Sequence, residues 1–153
     1  HFRNTYIDPY PPSWMLSEIL PFGVLTRVYE NIANNQTRKN IARNFGLNVP
    51  VFTSWLTIIA VTRNACCHHA RLWNRKFSIR ALLMNSQEFR WVSDAVLQGK
   101  IFFTLCILKH FVDVIYPQNT LKKNLIELLQ SYPMIDISVM GFPKNWEEEP
   151  LWR

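Results

Sequence analysis

The chain has 153 residues, of which 48% are hydrophobic and 14% aromatic, and a formal charge of +6. That is ample apolar material for one globular domain over residues 1–153, and it excludes a disordered or low-complexity chain. The longest apolar run, Ile101 to Leu108 between Lys100 and Lys109, falls far short of the roughly twenty residues a membrane span needs, so no membrane partner is expected.

In chain order, Pro11-Pro12-Ser13 reads as extended backbone ending in a helix cap, followed by a short helix through Trp14 to Leu20 that Pro21 and Gly23 interrupt. Leu25, Val28, Tyr29 and Ile32 carry helical spacing, and Asn34-Asn35 should end that helix. Thr37 is expected to cap a third helix that stops at Gly46. Asn48 to Pro50 opens a long central helix whose far end falls between Ala70 and Phe77. A further long helix runs from about Glu88 or Ser93 to Tyr116, with Gly99 as a candidate break, and Thr120 caps a last one ending near Tyr132. No segment alternates with period two, so the fold class is all-α. The tail from Met134 is irregular, but Met140, Phe142, Trp146 and Trp152 should pack it onto the bundle.

The charge is concentrated. Residues 31–87 hold Arg38, Lys39, Arg43, Arg63, Arg71, Arg75, Lys76 and Arg80 with no Asp or Glu. Such a one-signed stretch is the electrostatic footprint of a polyanion partner, set against the plainer reading of a solvated face. Asp136 and Glu147 to Glu149 in the tail have sequence freedom to lie near it, and no function is assigned to them. The three cysteines, Cys66, Cys67 and Cys106, form no even disulfide framework, which fits a reducing cytoplasm.

The densest chemistry lies in Arg63-Asn64-Ala65-Cys66-Cys67-His68-His69. Arginine grips phosphate with a fixed fork of donors, and histidine exchanges protons near neutral pH, so the pair points to a phosphodiester. Continued through Arg75, the helix would align Asn64, His68, Arg71 and Arg75 on one polar stripe and turn Phe52, Trp55, Ile59, Thr62, Cys66, His69, Ala70 and Trp73 to the core. Arg63 lies roughly 140° around the helix from His68. A long reach by its side chain, a distorted helix, or a second copy of the motif across a symmetric interface would each close that gap, and the last is favoured. Four consecutive ligand-type residues, Cys66 to His69, fan out around a helix and cannot enclose a tetrahedral ion, so no metal and no cofactor is expected. His1 and His110 are read as incidental or structural, and Trp14, Trp55 and Trp73 as packing.

Trp14-Met15 with Glu18, Phe22-Gly23, Leu25 and Tyr29, then Arg38-Lys39, Ile41-Ala42 and Phe45-Gly46-Leu47, resemble the AbiD/AbiF abortive-infection proteins of bacteria. Ser54-Trp55-Leu56, Arg63-Asn64, Cys66, His68-His69, Arg71 to Arg75, and Met140-Gly141-Phe142-Pro143 with Trp146 continue the pattern in order. The resemblance implies a helical HEPN-superfamily bundle, whose ribonuclease members bear arginine, a polar residue, three residues and histidine. Arg63-Asn64-Ala65-Cys66-Cys67-His68 fits that pattern. Since the family carries a helical portion upstream, the chain is expected to be the C-terminal part of a longer protein. The implied function is metal-independent RNA cleavage in phage defence by a homodimer, a toxin held in check by an RNA or protein inhibitor. Arg63, Asn64 and His68 would be catalytic, Arg71, Arg75 and Lys76 would bind RNA, and His69 and Trp73 would support the site. The alternative is a non-catalytic RNA-binding or protein-interaction module of the same fold.

Overall fold

The computed structural model describes Thr5, residues 10–84 and residues 91–153. His1 and Glu88 lie outside the described residues. Six α-helices and no strand are present among the described residues: α1 (Ser13–Ile19), α2 (Phe22–Glu30), α3 (Asn35–Asn44), α4 (Val49–Cys67), α5 (Ile101–Ile115) and α6 (Leu121–Ser131). Three 3-10 turns in the tail, Ser138–Met140, Trp146–Glu148 and Pro150–Trp152, complete the helical set. The all-α expectation holds. None of these helices is by itself long and apolar enough to cross a membrane.

Local chemistry sets the boundaries. Pro12, already extended at ψ 150°, is the cap of α1, and Ser13 is the first helical residue with no capping bond, in contrast to the expected Ser13 cap. The cap of α3 is Asn34, whose Oδ1 accepts from the N–H groups of Gln36 and Thr37 at 2.8 and 3.2 Å, so the expected role of Thr37 is corrected. Asparagine reaches both donors because its carboxamide is one bond longer than a hydroxyl. Gly46 at φ +66° ends α3, where its N–H donates to the Arg43 carbonyl and that of Leu47 to Ala42. Asn48 caps α4 as expected, accepting from Val51 N–H at 2.9 Å, with Pro50 in the first turn. α6, Leu121–Ser131, lies close to its expected span, but Thr120 makes no side-chain capping bond; Asn119 Oδ1 accepts from Leu121 N–H at 3.1 Å instead.

The helix expected from Glu88 or Ser93 starts only at Ile101. Ser93 to Lys100 form turns. Gly99 sits at φ +79° in the turn before α5, where its carbonyl accepts from Phe77 N–H at 2.8 Å. A Cβ there would lie 2.8 Å from the Phe77 carbonyl oxygen. Close backbone approach, rather than a break inside a helix, is what this glycine permits.

α4 is the axis of the fold and packs on α2, α3 and α5. Its buried face is Val51, Phe52, Trp55, Ile58, Ala60, Thr62 and Ala65. Trp55 is fully buried, with its ring against Trp91 at 4.5 Å between centroids and edge-on to His110 at 5.2 Å. His110 presents Nε2 to the Phe45 carbonyl at 2.8 Å, a structural role that agrees with the reading of the sequence. The tail docks as expected: Phe142, Trp146 and Trp152 close over Phe102 of α5, and Trp152 Nε1 donates to Cys106 Sγ at 3.2 Å. Glu149 turns inward, its carboxylate accepting from the N–H and Oγ of Ser93, each at 2.7 Å.

Candidate functional site

The motif occupies the last turn of α4, and its exposure follows from the packing. Ala65 is the final buried position of the helix, so Arg63, Asn64, Cys66, Cys67 and His68 project into solvent where the core recedes. Arg63 Nη1 donates to Asn64 Oδ1 at 3.3 Å. The Asn64 side chain therefore holds the guanidinium; its tie to His68 is through the main chain, where His68 N–H donates to the Asn64 carbonyl at 3.0 Å.

α4 ends at Cys67, earlier than the expected range of Ala70 to Phe77. His68 is the last half-helical residue and His69 enters the left-handed region at φ +52°. His69 N–H then donates to the Cys66 carbonyl at 3.0 Å and Ala70 N–H to the Ala65 carbonyl at 2.8 Å. This double closure satisfies orphan carbonyls and stops the helix without a glycine. Histidine is among the few other residues that adopt this conformation with any frequency.

Three expectations are corrected by that ending. His69 is exposed and does not face the core, because the helical wheel no longer applies beyond Cys67. Trp73 is 42% exposed, Trp14 63% and Cys66 also exposed, so of the three tryptophans read as packing only Trp55 is core. The stripe Asn64, His68, Arg71 and Arg75 does not exist as one helix face. Arg71, Arg75 and Lys76 come instead from the turns that follow, with Asn74 at φ +53° and Arg75 N–H bonded to the Leu72 carbonyl at 3.1 Å.

That turn is held from outside. Lys100 Nζ donates to Asn74 Oδ1 at 3.3 Å and to the Val139 carbonyl at 2.9 Å, pinning the turn to the C-terminal tail. Arg75 lies with its guanidinium carbon 5.3 Å from the Phe77 ring centre and is half-buried, while Arg71 and Lys76 are exposed. The chain then returns across α4, where Trp55 Nε1 donates to the Leu82 carbonyl and Leu82 N–H to Ser54 Oγ, both at 2.9 Å.

Cys67 was missed as a member of the site. At about 100° per residue it falls between Arg63 and Asn64 on the exposed arc that ends at His68. The signal was present in the sequence, since Cys67 is one turn on from Arg63. Its free thiol and that of Cys66 are both exposed.

Six of the eight cations in the acid-free stretch are exposed, with Arg38 and Arg75 half-buried. Among the described residues no ion pair joins them to the acids of the tail; Lys109 pairs with Asp113 and Lys123 with Glu127. Asp136 is engaged locally, and the hydrogen bonds from Ser138 hold its carboxyl below the usual range. The described residues contain no cluster of three or more His, Cys, Asp or Glu side chains suited to a metal ion.

No curated protein and no solved structure matches the chain. A family model does: that of the Abi-like proteins matches residues 1–74, just under half of the chain, including all of α1 to α4 and the motif from Arg63 to His68. Over those residues the chain is similar to the Abi-like proteins.

Proposed function

We propose that the chain is a subunit of a HEPN-type, metal-independent endoribonuclease that acts in abortive-infection defence in the cytoplasm. The observation that carries this reading is the joint exposure of Arg63, Asn64 and His68 at the open end of α4, within a stretch that presents cations and no acids. The Abi-like match over the same residues supports the biological setting. Two exposed free thiols beside the site fit a reducing compartment.

Arg63 and His68 sit too far apart around one helix to serve one phosphate comfortably, so the working site is assigned to a homodimer in which the ends of two α4 helices face each other. The 2′-hydroxyl oxygen of the RNA attacks the adjacent phosphorus, forming the O2′–P bond as the P–O5′ bond breaks. His68 of one copy takes the hydroxyl proton and His68 of the other gives a proton to the departing 5′ oxygen. The products are a 2′,3′-cyclic phosphate and a free 5′-hydroxyl. Arg63, steadied by Asn64, neutralises the charge gathering on the phosphoryl oxygens.

The test is incubation of the purified protein with a labelled RNA pool in chelator, followed by sequencing of the ends. Cyclic phosphate termini are expected, with His68→Ala and Arg63→Ala each lowering the rate by roughly 10² to 10⁴. Unchanged cleavage by both variants, or absence of cyclic ends from the wild type, would overturn the proposal.

A further inference from the structure

At the opposite end of α4 lies a second cationic feature that the cleavage chemistry does not use. Asn35, Lys39 and Arg43 succeed one another by single turns along α3, and the axes of α3 and α4 meet at 68°. Beside that corner is a cavity of about 490 Å³, lined by these three polar residues and by Leu47, Asn48, Val49 and Pro50. Its volume is in the range of sites that hold a small molecule or one unit of a polymer. The surface inside is mostly apolar, with Lys39 and Arg43 exposed at the rim. Neither cation has a hydrogen-bond or ion-pair partner among the described residues, and the sequence from 31 to 87 offers no carboxylate to neutralise them.

We propose that this cavity is an accessory seat for single-stranded RNA, resting on the assignment of RNA as the substrate. One base packs on the apolar floor of Leu47, Val49 and Pro50, and the phosphates on either side of it sit against Lys39 and Arg43. A polyanion with apolar faces matches both the charge at the rim and the apolar surface inside, whereas an inorganic anion leaves the floor unused. The nineteen residues of α4 separate the seat from His68 by about 28 Å. A stacked strand advances about 3.4 Å per nucleotide, so a stacked RNA bridging the two points needs about eight nucleotides. The seat therefore acts as a length gauge: a long strand occupies it and the cleavage site together, whereas a short one occupies one of the two at a time.

Fluorescence anisotropy with labelled RNAs of five and twenty nucleotides tests this, using His68→Ala protein with and without the pair Lys39→Ala and Arg43→Ala, across a salt series. Both substituted side chains are exposed, and thermal melts confirm the fold of each variant. The expected result is a roughly tenfold loss of affinity for the long RNA, with its salt slope falling by about 1.4 for two lost phosphate contacts, and a smaller loss for the short one. Equal loss on both lengths, or no loss on either, would overturn the seat; the latter would point to an acidic protein as the natural occupant. Wild-type cleavage, scored separately by cyclic phosphate ends, tells the two proposals apart. Length-selective binding without cleavage retains the seat and removes the nuclease, and cleavage without length-selective binding does the reverse.

Discussion

His69, standing at φ +52°, donates its backbone N–H to the carbonyl of Cys66 at 3.0 Å and so closes the helix that carries the candidate site. A side chain in this conformation costs free energy that glycine avoids. Replacing His69 with Gly should therefore raise stability by about 1 kcal/mol, and His69→Val should lower it by about 1–2 kcal/mol, because a β-branched residue tolerates this region least. Denaturant unfolding measures both. RNA cleavage by His69→Gly should match wild type, and its loss would show that the His69 imidazole has a chemical part.

The cations after the helix differ in what they can contribute. Arg71 and Lys76 are exposed, whereas Arg75 spends part of its guanidinium on the face of Phe77. Arg71→Ala and Lys76→Ala should each weaken RNA binding nearly uniformly across sequences and reduce the salt slope by about 0.7. Arg75→Ala should also lower the melting temperature. Salt titrations of affinity and thermal melts separate these effects.

Thiol reactivity checks the placement of the cysteines and the role of Cys67. Under native conditions iodoacetamide should modify Cys66 and Cys67 and spare Cys106, which is fully buried on α5. In a Cys66→Ser background, alkylation of Cys67 should block RNA cleavage, since the adduct stands between Arg63 and His68. Peptide mass mapping and the cleavage assay give the two readouts.

Alkaline stability follows from the third thiol. Burial pushes Cys106 up to about 12, against the opposing hydrogen bond from Trp152. Between the ordinary thiol range and that value the unfolded chain releases a proton that the folded chain keeps, so stability falls as pH rises across this window. Burial likewise raises the Tyr29 phenol, adding to the same slope above about pH 10. Cys106→Ala should flatten the slope between about pH 9 and 12, measured by denaturant unfolding at successive pH values.

The clamp on the returning segment offers a last check. Trp55→Phe keeps most of the buried ring but removes the donor to the Leu82 carbonyl, and should cost about 1–3 kcal/mol. Limited proteolysis should then cut more readily between Arg71 and Met84. Unchanged stability and cleavage pattern would show that the Leu82 contact contributes nothing to holding this segment.

Much of the fold was legible because it rests on local rules. Asn48 and Pro50 announce the start of α4, Gly46 the end of α3, and the apolar run from Ile101 a buried helix. The stop signal of α4 was not legible, since His69 does there what glycine does at Gly46, and the chain offers no glycine or proline to mark it. Wheel geometry extended past that stop put His69 and Trp73 in the core and built an arginine stripe that the backbone does not follow. The start of α5 was missed for a related reason: Gly99 permits a close approach to Phe77, a contact between segments over twenty residues apart.

By itself the sequence determined the all-α class, the cation-rich middle of the chain and the chemical groups of the candidate site, since these depend on periodicity, net charge and residue identity. Tertiary structure decided which groups share a surface. The core recedes at Ala65 and the backbone reverses at His69, so Arg63, Asn64, Cys67 and His68 face water while Arg71 and Lys76 belong to a separate segment fastened by Lys100. Exposure is a property of what packs nearby, and the partners involved, Trp55 with Leu82 and Lys100 with Asn74, are distant in sequence and adjacent only once the chain has folded.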